Sequence, residues 1–244
     1  MNARTERLRA QSLAAVPSLS VERARIVTAF HREQLGRHSV PVLRARAFLD
    51  LCERKTLWLG ADELIVGERG PAPKAVPTYP ELTCHSVEDL RILDSRPKTP
   101  YRVDSEMIEE YRRDIIPYWQ GRSLRDQMFR LLPAEWHAAY AAGCFTEFME
   151  QRAPGHTVAD GKLFRKGLRD FQVDIAASLA LLDLERDPEA LDKREQLEAM
   201  AISCDAVMRF ADRHAEQAEA AAGACADPAR RLELERIAAV CRRV

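Results

Sequence analysis

The sequence predicts a mainly α-helical protein whose helices are joined by irregular crossings rich in proline and glycine. Apolar residues recur at three- and four-residue steps along most of the chain, which is the spacing of one helix face. Capping residues stand before several of these stretches, and most of the 13 prolines lie at their ends or between them. With 244 residues, of which 46% are apolar, the chain can bury a substantial core, and we expect one domain over residues 1–244.

Three helices are predicted before residue 57. Residues 3–15 carry a short amphipathic pattern that ends before Pro17, which cannot continue a helix. Ser18 or Ser20 can cap the second helix, because a serine hydroxyl accepts from the free N–H groups of the first turn. Pro41 suits the first turn of the third helix, where its missing N–H costs nothing.

The stretch from residue 57 to residue 80 departs from the helical pattern. Residues 57–66 indicate a turn followed by a short extended segment, and residues 67–80, GERGPAPKAVPTYP, predict an ordered irregular loop. The glycines do not form a phosphate-binding or dinucleotide-binding motif. The loop therefore either carries the chain across a surface or packs against a further part of a larger protein.

The middle of the chain carries two capping-box patterns, Ser86-Val-Glu-Asp89 and Ser123-Leu-Arg-Asp126, each of which opens a helix. Asp104 or Ser105 starts another helix, which Pro117 interrupts.

Three further helices are predicted near the C-terminus. A helix from about residue 161 to residue 183 carries Phe164 on its apolar face. Asp187-Pro188 starts a helix to about Ala222, and Asp227-Pro228 starts the last one.

One segment, Trp136–Gly167, organises the functional interpretation. Gly143 can end its first helix in the left-handed conformation, and Pro154-Gly155 presents His156 from a bent loop. Between them lies Phe145-Thr-Glu-Phe-Met-Glu-Gln-Arg152, a dense run of aromatic, acidic and cationic groups. Such a composition indicates the wall of a cavity, although a histidine or phenylalanine in this setting is more often a plain structural residue.

Composition and charge exclude several classes of protein. The net charge is −1, from 37 basic and 38 acidic residues, so we expect neither nucleic acid nor a membrane as partner. The first residues lack the apolar stretch of a secretory signal, which favours a cytoplasmic protein. The six cysteines contain no C-x-x-C pair, so we predict reduced thiols and no metal site; Cys84-His85 is rejected as a nucleophile and base pair.

The segment FTEFMEQRAPGHTV resembles part of the glycyl radical enzymes of the pyruvate formate-lyase type. Three other stretches are similar to the same family: DELIVGERG from residue 62, PTYPE from residue 77 and DIIPYW from residue 114. The resemblance covers the whole chain but a minority of the family's length. It implies the N-terminal helical part of a pyruvate formate-lyase domain, with Pro/Gly-rich irregular crossings and with the ten-stranded α/β barrel core missing.

The resemblance also implies a chemistry and its partners. Family members store a glycyl radical, installed by a radical SAM activating enzyme, and use a cysteine that becomes a thiyl radical; both residues lie in the missing part. None of the six cysteines here has a local pattern like the thiyl loop. We therefore expect a truncated chain that is inactive alone, with a small-molecule substrate, the activase and the barrel portion as partners, and a possible homo-oligomer.

The resemblance assigns site residues to three positions. His156 corresponds to a substrate-facing histidine that hydrogen-bonds the substrate, and Phe148 to an aromatic residue that packs against it. Arg152 can bind a substrate carboxylate or form a structural ion pair with Glu147 or Glu150. We expect an exposed apolar patch on residues 65–80 and 145–156, where the rest of the enzyme would cover them.

Within the family, MEQRAPGHTV with the GERG and PTYPE segments is most similar to the branch that dehydrates hydroxyproline. The implied function is radical dehydration of a hydroxylated substrate such as hydroxyproline or a diol. Other glycyl radical lyases remain alternatives: formate acetyltransferase-like enzymes, arylacetate decarboxylases, and lyases of carbon–nitrogen or carbon–sulfur bonds. From another class, the chain can be a non-catalytic helical interaction module.

Overall fold

The computed structural model describes residues 2–145 and 160–244, except for the side chain of Asp160. It confirms the mainly α prediction. The helices are α1 (Ala3–Ala14), α2 (Glu22–Gln34), α3 (Val40–Arg54), α4 (Val87–Ser95), α5 (Ser105–Glu110), α6 (Ile116–Trp119), α7 (Leu124–Leu131), α8 (Ala134–Ala141), α9 (Leu168–Ala180), α10 (Ala190–Ala224) and α11 (Pro228–Cys241). Strands β1 (Ser18–Ser20) and β2 (Ala75–Pro77) form a two-stranded sheet.

The chain divides into two compact units. Unit 1 comprises residues 1–15, 29–75 and 161–244, and unit 2 comprises residues 16–28 and 76–160.

In unit 1, the long helix α10 packs against α3, α9 and α11. Alanines line its contact faces: Ala206, Ala215 and Ala218 are all fully buried. Because alanine carries a single methyl group, the neighbouring helices can approach closely, and Leu234 and Ile237 of α11 fill the space beside α10. Burial of each of these two side chains contributes about 1.5–3 kcal/mol.

Two basic residues fix the end of α3 and the loop that follows it. Arg213 on α10 donates to the carbonyls of Cys52 and Lys55, at 2.6 and 2.9 Å. These bonds satisfy carbonyls that the last turn of a helix leaves without partners. Lys55 in turn donates to the carbonyls of Glu68 and Arg69, at 2.9 and 3.0 Å.

The GERG loop, residues 67–70, uses its two glycines in different ways. Gly67 has φ of 114°, in the region that favours glycine. Gly70 is buried, and a Cβ at this position would lie 2.1 Å from the carbonyl oxygen of Ala75. The predicted irregular loop, residues 67–80, is therefore constrained at Gly67 and Gly70, and residues 75–77 within it form the short strand β2.

Unit 2 is built around one continuous helical rod, α5 and α6 joined by a π-helical turn at Tyr111–Ile115. The N–H of Ile116 donates to the carbonyl of Tyr111, five residues back, which widens the helix just before Pro117. The prediction that Pro117 interrupts this helix is wrong, because Pro117 lies in the first turn of α6, where the absence of its N–H is tolerated. Tyr111, Ile115 and Trp119 all point into the core, with Ala24, Val27, Leu90, Val103 and Met107 packed around them.

Several predicted helix starts are confirmed, and others are wrong in detail; α10, for example, begins at Ala190 and not at Asp187-Pro188. Ser86 and Asp89 form the reciprocal capping box, and Asp227 caps α11. Ser123 caps α7, but the carboxylate of Asp126 accepts from the N–H of Gly121 instead of completing a box.

The helix expected from residue 161 instead begins at Leu168. A short 3-10 turn, Asp160–Phe164, precedes it and leaves Phe164 92% exposed. Gly167 donates its N–H to the carboxylate of Asp170, which fixes the start of α9 at that point.

None of the described helices has both the length and the apolar character needed to cross a membrane.

Candidate functional site

The PTYPE segment, residues 77–81, is held in unit 2 by one arginine. Arg23 on α2 forms a two-pronged ion pair with Glu81, and its Nη1 also donates to the carbonyl of Thr78 at 3.2 Å. The guanidinium lies 3.9 Å from the ring centroid of Tyr79. Both charged side chains are mostly buried, at 18% and 22% exposure, so the pair is shielded from solvent screening. Tyr79 is thereby presented at the surface, 40% exposed.

The PTYPE segment is also bonded to the helical rod formed by α5, the π-helical turn and α6. The hydroxyl of Tyr111 donates to Oγ1 of Thr78 at 2.5 Å, and burial raises the pKa of this phenol, so it stays protonated. Trp119 donates from Nε1 to Oγ1 of Thr28 at 2.8 Å, and Thr28 donates to the carbonyl of Ala24 at 2.6 Å. These buried pairs were not predicted from the sequence, where the only signal is the four-residue spacing of the aromatic residues around Ile115.

An aromatic cluster forms at the end of α8, directly before residue 146. The ring of Phe145 lies 5.4 Å from Trp136 and 5.6 Å from Tyr140, measured between centroids. Tyr140 in turn contacts Phe129 edge-on at 4.9 Å. Arg125 closes the cluster, with its guanidinium 4.4 Å from the centroid of Phe129 and Nη2 3.4 Å from the hydroxyl of Tyr140. Such edge-to-face and cation–π contacts each add about 0.5–1.5 kcal/mol beyond area burial.

Gly143 turns the chain out of α8, as the sequence predicted. It has φ of 76°, its N–H donates to the carbonyl of Tyr140, and the N–H of Cys144 donates to the carbonyl of Ala139. This is a Schellman turn, in which a left-handed glycine closes the last helical carbonyls. Phe145 is therefore held both by its backbone turn and by its ring contacts.

The three predicted site residues, Phe148, Arg152 and His156, lie outside the described residues, since the structure describes the chain up to Phe145 and again from Asp160. The predicted patch on residues 145–156 lies outside them as well, apart from Phe145. In the other predicted part of the patch, Ile65 is 86% exposed.

Cys84 and Cys52 are thiols that burial keeps uncharged. Burial raises the pKa of the Cys84 thiol to about 12 and that of Cys52 to about 11, so neither forms a thiolate at neutral pH. The thiol of Cys84 faces the carbonyl of His85 at 3.8 Å. In residues 2–145 and 160–244, no group of three His, Cys, Asp or Glu side chains is arranged to hold a metal ion.

In chemical terms, the described residues of unit 2 position loops: an arginine and a buried phenol hold PTYPE, and an aromatic cluster holds Phe145. The chain matches the family model described as pyruvate formate lyase-like over residues 1–244, and it belongs to this family.

Among known proteins, the chain is similar to trans-4-hydroxy-L-proline dehydratase of Clostridioides difficile, with 43% identity over 238 residues. That match covers 98% of this chain and 30% of the relative. It is 31% identical over 234 residues to isethionate sulfite-lyase of Bilophila wadsworthia, which covers 91% of this chain and 28% of the relative.

The structural comparisons agree with these relationships. The fold matches the crystal structure of the Clostridioides difficile hydroxyproline dehydratase with trans-4-hydroxy-L-proline bound, with a TM-score of 0.93 and coverage of 99% of this chain and 30% of that chain. It also matches the glycerol-bound B12-independent glycerol dehydratase of Clostridium butyricum, with a TM-score of 0.89, 25% identity, and coverage of 99% and 31%.

The described fold is therefore the N-terminal helical part of the pyruvate formate-lyase fold, as predicted. The chain spans about 30% of the length of these relatives.

Proposed function

We propose that residues 1–244 supply one wall of the substrate pocket in a glycyl radical dehydratase that acts on a hydroxylated substrate such as hydroxyproline or a diol. The observation that carries this proposal is the 43% identity, over 98% of the chain, to trans-4-hydroxy-L-proline dehydratase. Identity to the sulfite-lyases and to the diol-type dehydratases is lower, at 31% and 29% for two of them.

In this proposal, His156 is the catalytic residue of the wall. Its imidazole hydrogen-bonds the leaving hydroxyl of the substrate and supplies the proton with which that group departs as water. Phe148 packs against an apolar face of the substrate, and Arg152 binds a substrate carboxylate.

The aromatic cluster of unit 2 supports this assignment through Phe145. The ring of Phe145 is held by Trp136 and Tyr140, and its backbone follows the Schellman turn at Gly143. These contacts fix the position of the chain directly before residue 146. Phe148 follows three residues later. A pocket wall requires such fixed ends, because catalytic groups must be held within fractions of an ångström.

The radical chemistry is proposed to come from outside residues 1–244. A glycyl radical, installed by a radical SAM activating enzyme, supplies hydrogen-atom abstraction through a cysteine in the complete enzyme. The coverage of only 30% of the relatives supports this division, and alone the 244-residue chain is then inactive. The barrel portion and the activase are its proposed partners, and a homo-oligomer is its proposed assembly.

A second candidate is cleavage of a carbon–sulfur bond, favoured by the 31% identity to isethionate sulfite-lyase. The two candidates differ in the leaving group, hydroxyl or sulfite, and thus in the role of the imidazole at residue 156.

The test is to co-express this chain with the barrel portion of a relative and an activase, without oxygen, and to assay hydroxyproline, diols and isethionate. We expect turnover of hydroxyproline or a diol. His156→Ala should abolish turnover while the glycyl radical signal in electron paramagnetic resonance persists, and His38→Ala is the matched control. Unchanged turnover in His156→Ala would remove this residue from the mechanism. A radical signal without turnover of any substrate would favour the non-catalytic module.

A further inference from the structure

His214 is a buried imidazole in α10 with one ring nitrogen unsatisfied. The residue is 3% exposed, and its Nδ1 lies 2.9 Å from the carbonyl oxygen of Phe210. Because a carbonyl only accepts, Nδ1 carries the proton and Nε2 presents a lone pair. Among the described residues, Nε2 has no hydrogen-bond partner. A second proton on this ring would therefore bury both a charge and an unpaired N–H donor.

Two cations act on the same imidazole. Burial lowers the pKa of His214; the bond to the Phe210 carbonyl raises it, and Lys55 and Arg213 lower it further. The ring of Phe210 contacts both His214 and Lys55. Its centroid lies 4.4 Å from the centroid of the imidazole and 5.0 Å from Nζ of Lys55. Cys52, on α3, accepts from Arg213 through its carbonyl, and its thiol is uncharged because burial raises its pKa to about 11. In the part of the chain that the structure describes, Lys55 and Arg213 are the charged groups whose electrostatic effect on the pKa of His214 is resolved.

Lys55 holds the GERG loop, and Arg213 holds the end of α3 from which Lys55 extends. Arg213 donates to the last carbonyls of α3, and Lys55 donates to the carbonyls of Glu68 and Arg69. All of these groups belong to unit 1. A change in charge at His214 therefore acts directly on the residues that fix the loop.

We propose that His214 is an acid-sensitive switch for the GERG loop: protonation of the buried ring places a third cation beside Lys55 and Arg213 and releases the contacts by which they hold residues 52–70. The proposal goes beyond the pocket-wall function and rests on other residues, so either can fail without the other.

The direction of the pH effect follows from linkage. We call the structure described here the closed state, and the state in which the contacts of Lys55 and Arg213 are released the opened state. In the opened state, the imidazole titrates near its ordinary pKa of about 6.5, whereas in the closed state the pKa of His214 is lowered. The opened state therefore binds more protons, and the closed state loses stability as the pH falls through about 6.5 towards the lowered pKa. At pH 5.5, one unit below the ordinary value, opening is favoured by at most about tenfold. Above about pH 7.5 the effect vanishes.

Hydrogen–deuterium exchange of the 244-residue chain tests this proposal. Protection factors, corrected for intrinsic exchange, are compared at pH 7.5 and 5.5 for peptides covering residues 52–70, with residues 105–119 as reference. We expect a several-fold loss of protection in residues 52–70 of the wild type. His214→Asn keeps a side-chain N–H donor and cannot titrate, so it should show no such loss. His38→Asn, the same substitution elsewhere in unit 1, should behave as the wild type.

An equal loss in His214→Asn, an equal loss in the reference peptides, or no loss in the wild type would overturn the switch. Imidazole ¹H–¹⁵N spectra of the wild type give a second readout that does not depend on the folding of any variant. They should show an unprotonated Nε2 at pH 7.5 and a titration below the ordinary value; a titration at or above that value would overturn the proposal.

Discussion

Gly70→Ala should destabilise unit 1 strongly, because backbone occupies the space that the new methyl group needs. The added Cβ would lie 2.1 Å from the carbonyl oxygen of Ala75 and 2.8 Å from its carbonyl carbon, whereas ordinary contacts begin at 3.4 Å. The backbone must therefore move by about 1 Å, and the N–H of Ala75 already donates to the carbonyl of Ala72 at 3.1 Å. We expect a loss of about 3 kcal/mol in the free energy of unfolding, the upper part of the usual range for overpacking.

The measurement is equilibrium unfolding in urea followed by circular dichroism, with thermal unfolding in parallel. For a chain of this length, about 3 kcal/mol corresponds to a fall of roughly 6–12 °C in Tm. Gly223→Ala is the matched control: an added Cβ there meets nothing within 4 Å, and the position is helical. Since alanine favours helix, this control should gain up to about 1 kcal/mol. Equal midpoints for the two variants would refute the steric reasoning.

Two further predictions concern buried polar groups of unit 2. Tyr111→Phe removes the donor to Thr78, which is only 3% exposed, and should cost about 1–2 kcal/mol in urea unfolding; Tyr101→Phe, at a half-buried ring, should cost less. A loss no greater than that of Tyr101→Phe would contradict the assigned bond. Iodoacetamide at pH 8 should alkylate the exposed Cys144 quickly and Cys84 slowly, because burial raises the pKa of the Cys84 thiol to about 12. Peptide mass spectrometry at successive times gives the order, and the reverse order would count against the burial.

Local chemistry was sufficient to predict several helix ends. The hydroxyl of Ser86 and the carboxylate of Asp89 find their partners within three residues, so the box is visible in the sequence. The same holds for Asp227 before Pro228 and for Gly143 after α8. The family resemblance, carried by four short segments, predicted the fold to which the whole chain belongs.

Contacts between distant residues were not accessible in the same way. Trp119 and Thr28 are 91 residues apart, and nothing local to either indicates the bond. Arg213 caps α3 from 161 residues away. Phe164 was placed on a helix because its spacing from Leu168 fits one, but the carboxylate of Asp170 starts that helix later. The spacing of apolar residues alone does not predict at which residue an amphipathic helix begins.

The π-helical turn determines the directions in which Tyr111 and Trp119 point. In a regular α-helix, Tyr111 and Trp119, eight residues apart, would point about 80° away from each other. The wider turn brings both rings to the same side, where each donates to a threonine. The turn thus absorbs one extra residue: deleting one residue from Tyr111–Ile115 would leave a regular helix in which Tyr111 and Trp119, then seven residues apart, still point within about 20° of each other. The directions of the two rings along the rod, and not only the identity of the residues, thus decide whether the rod can contact the PTYPE segment.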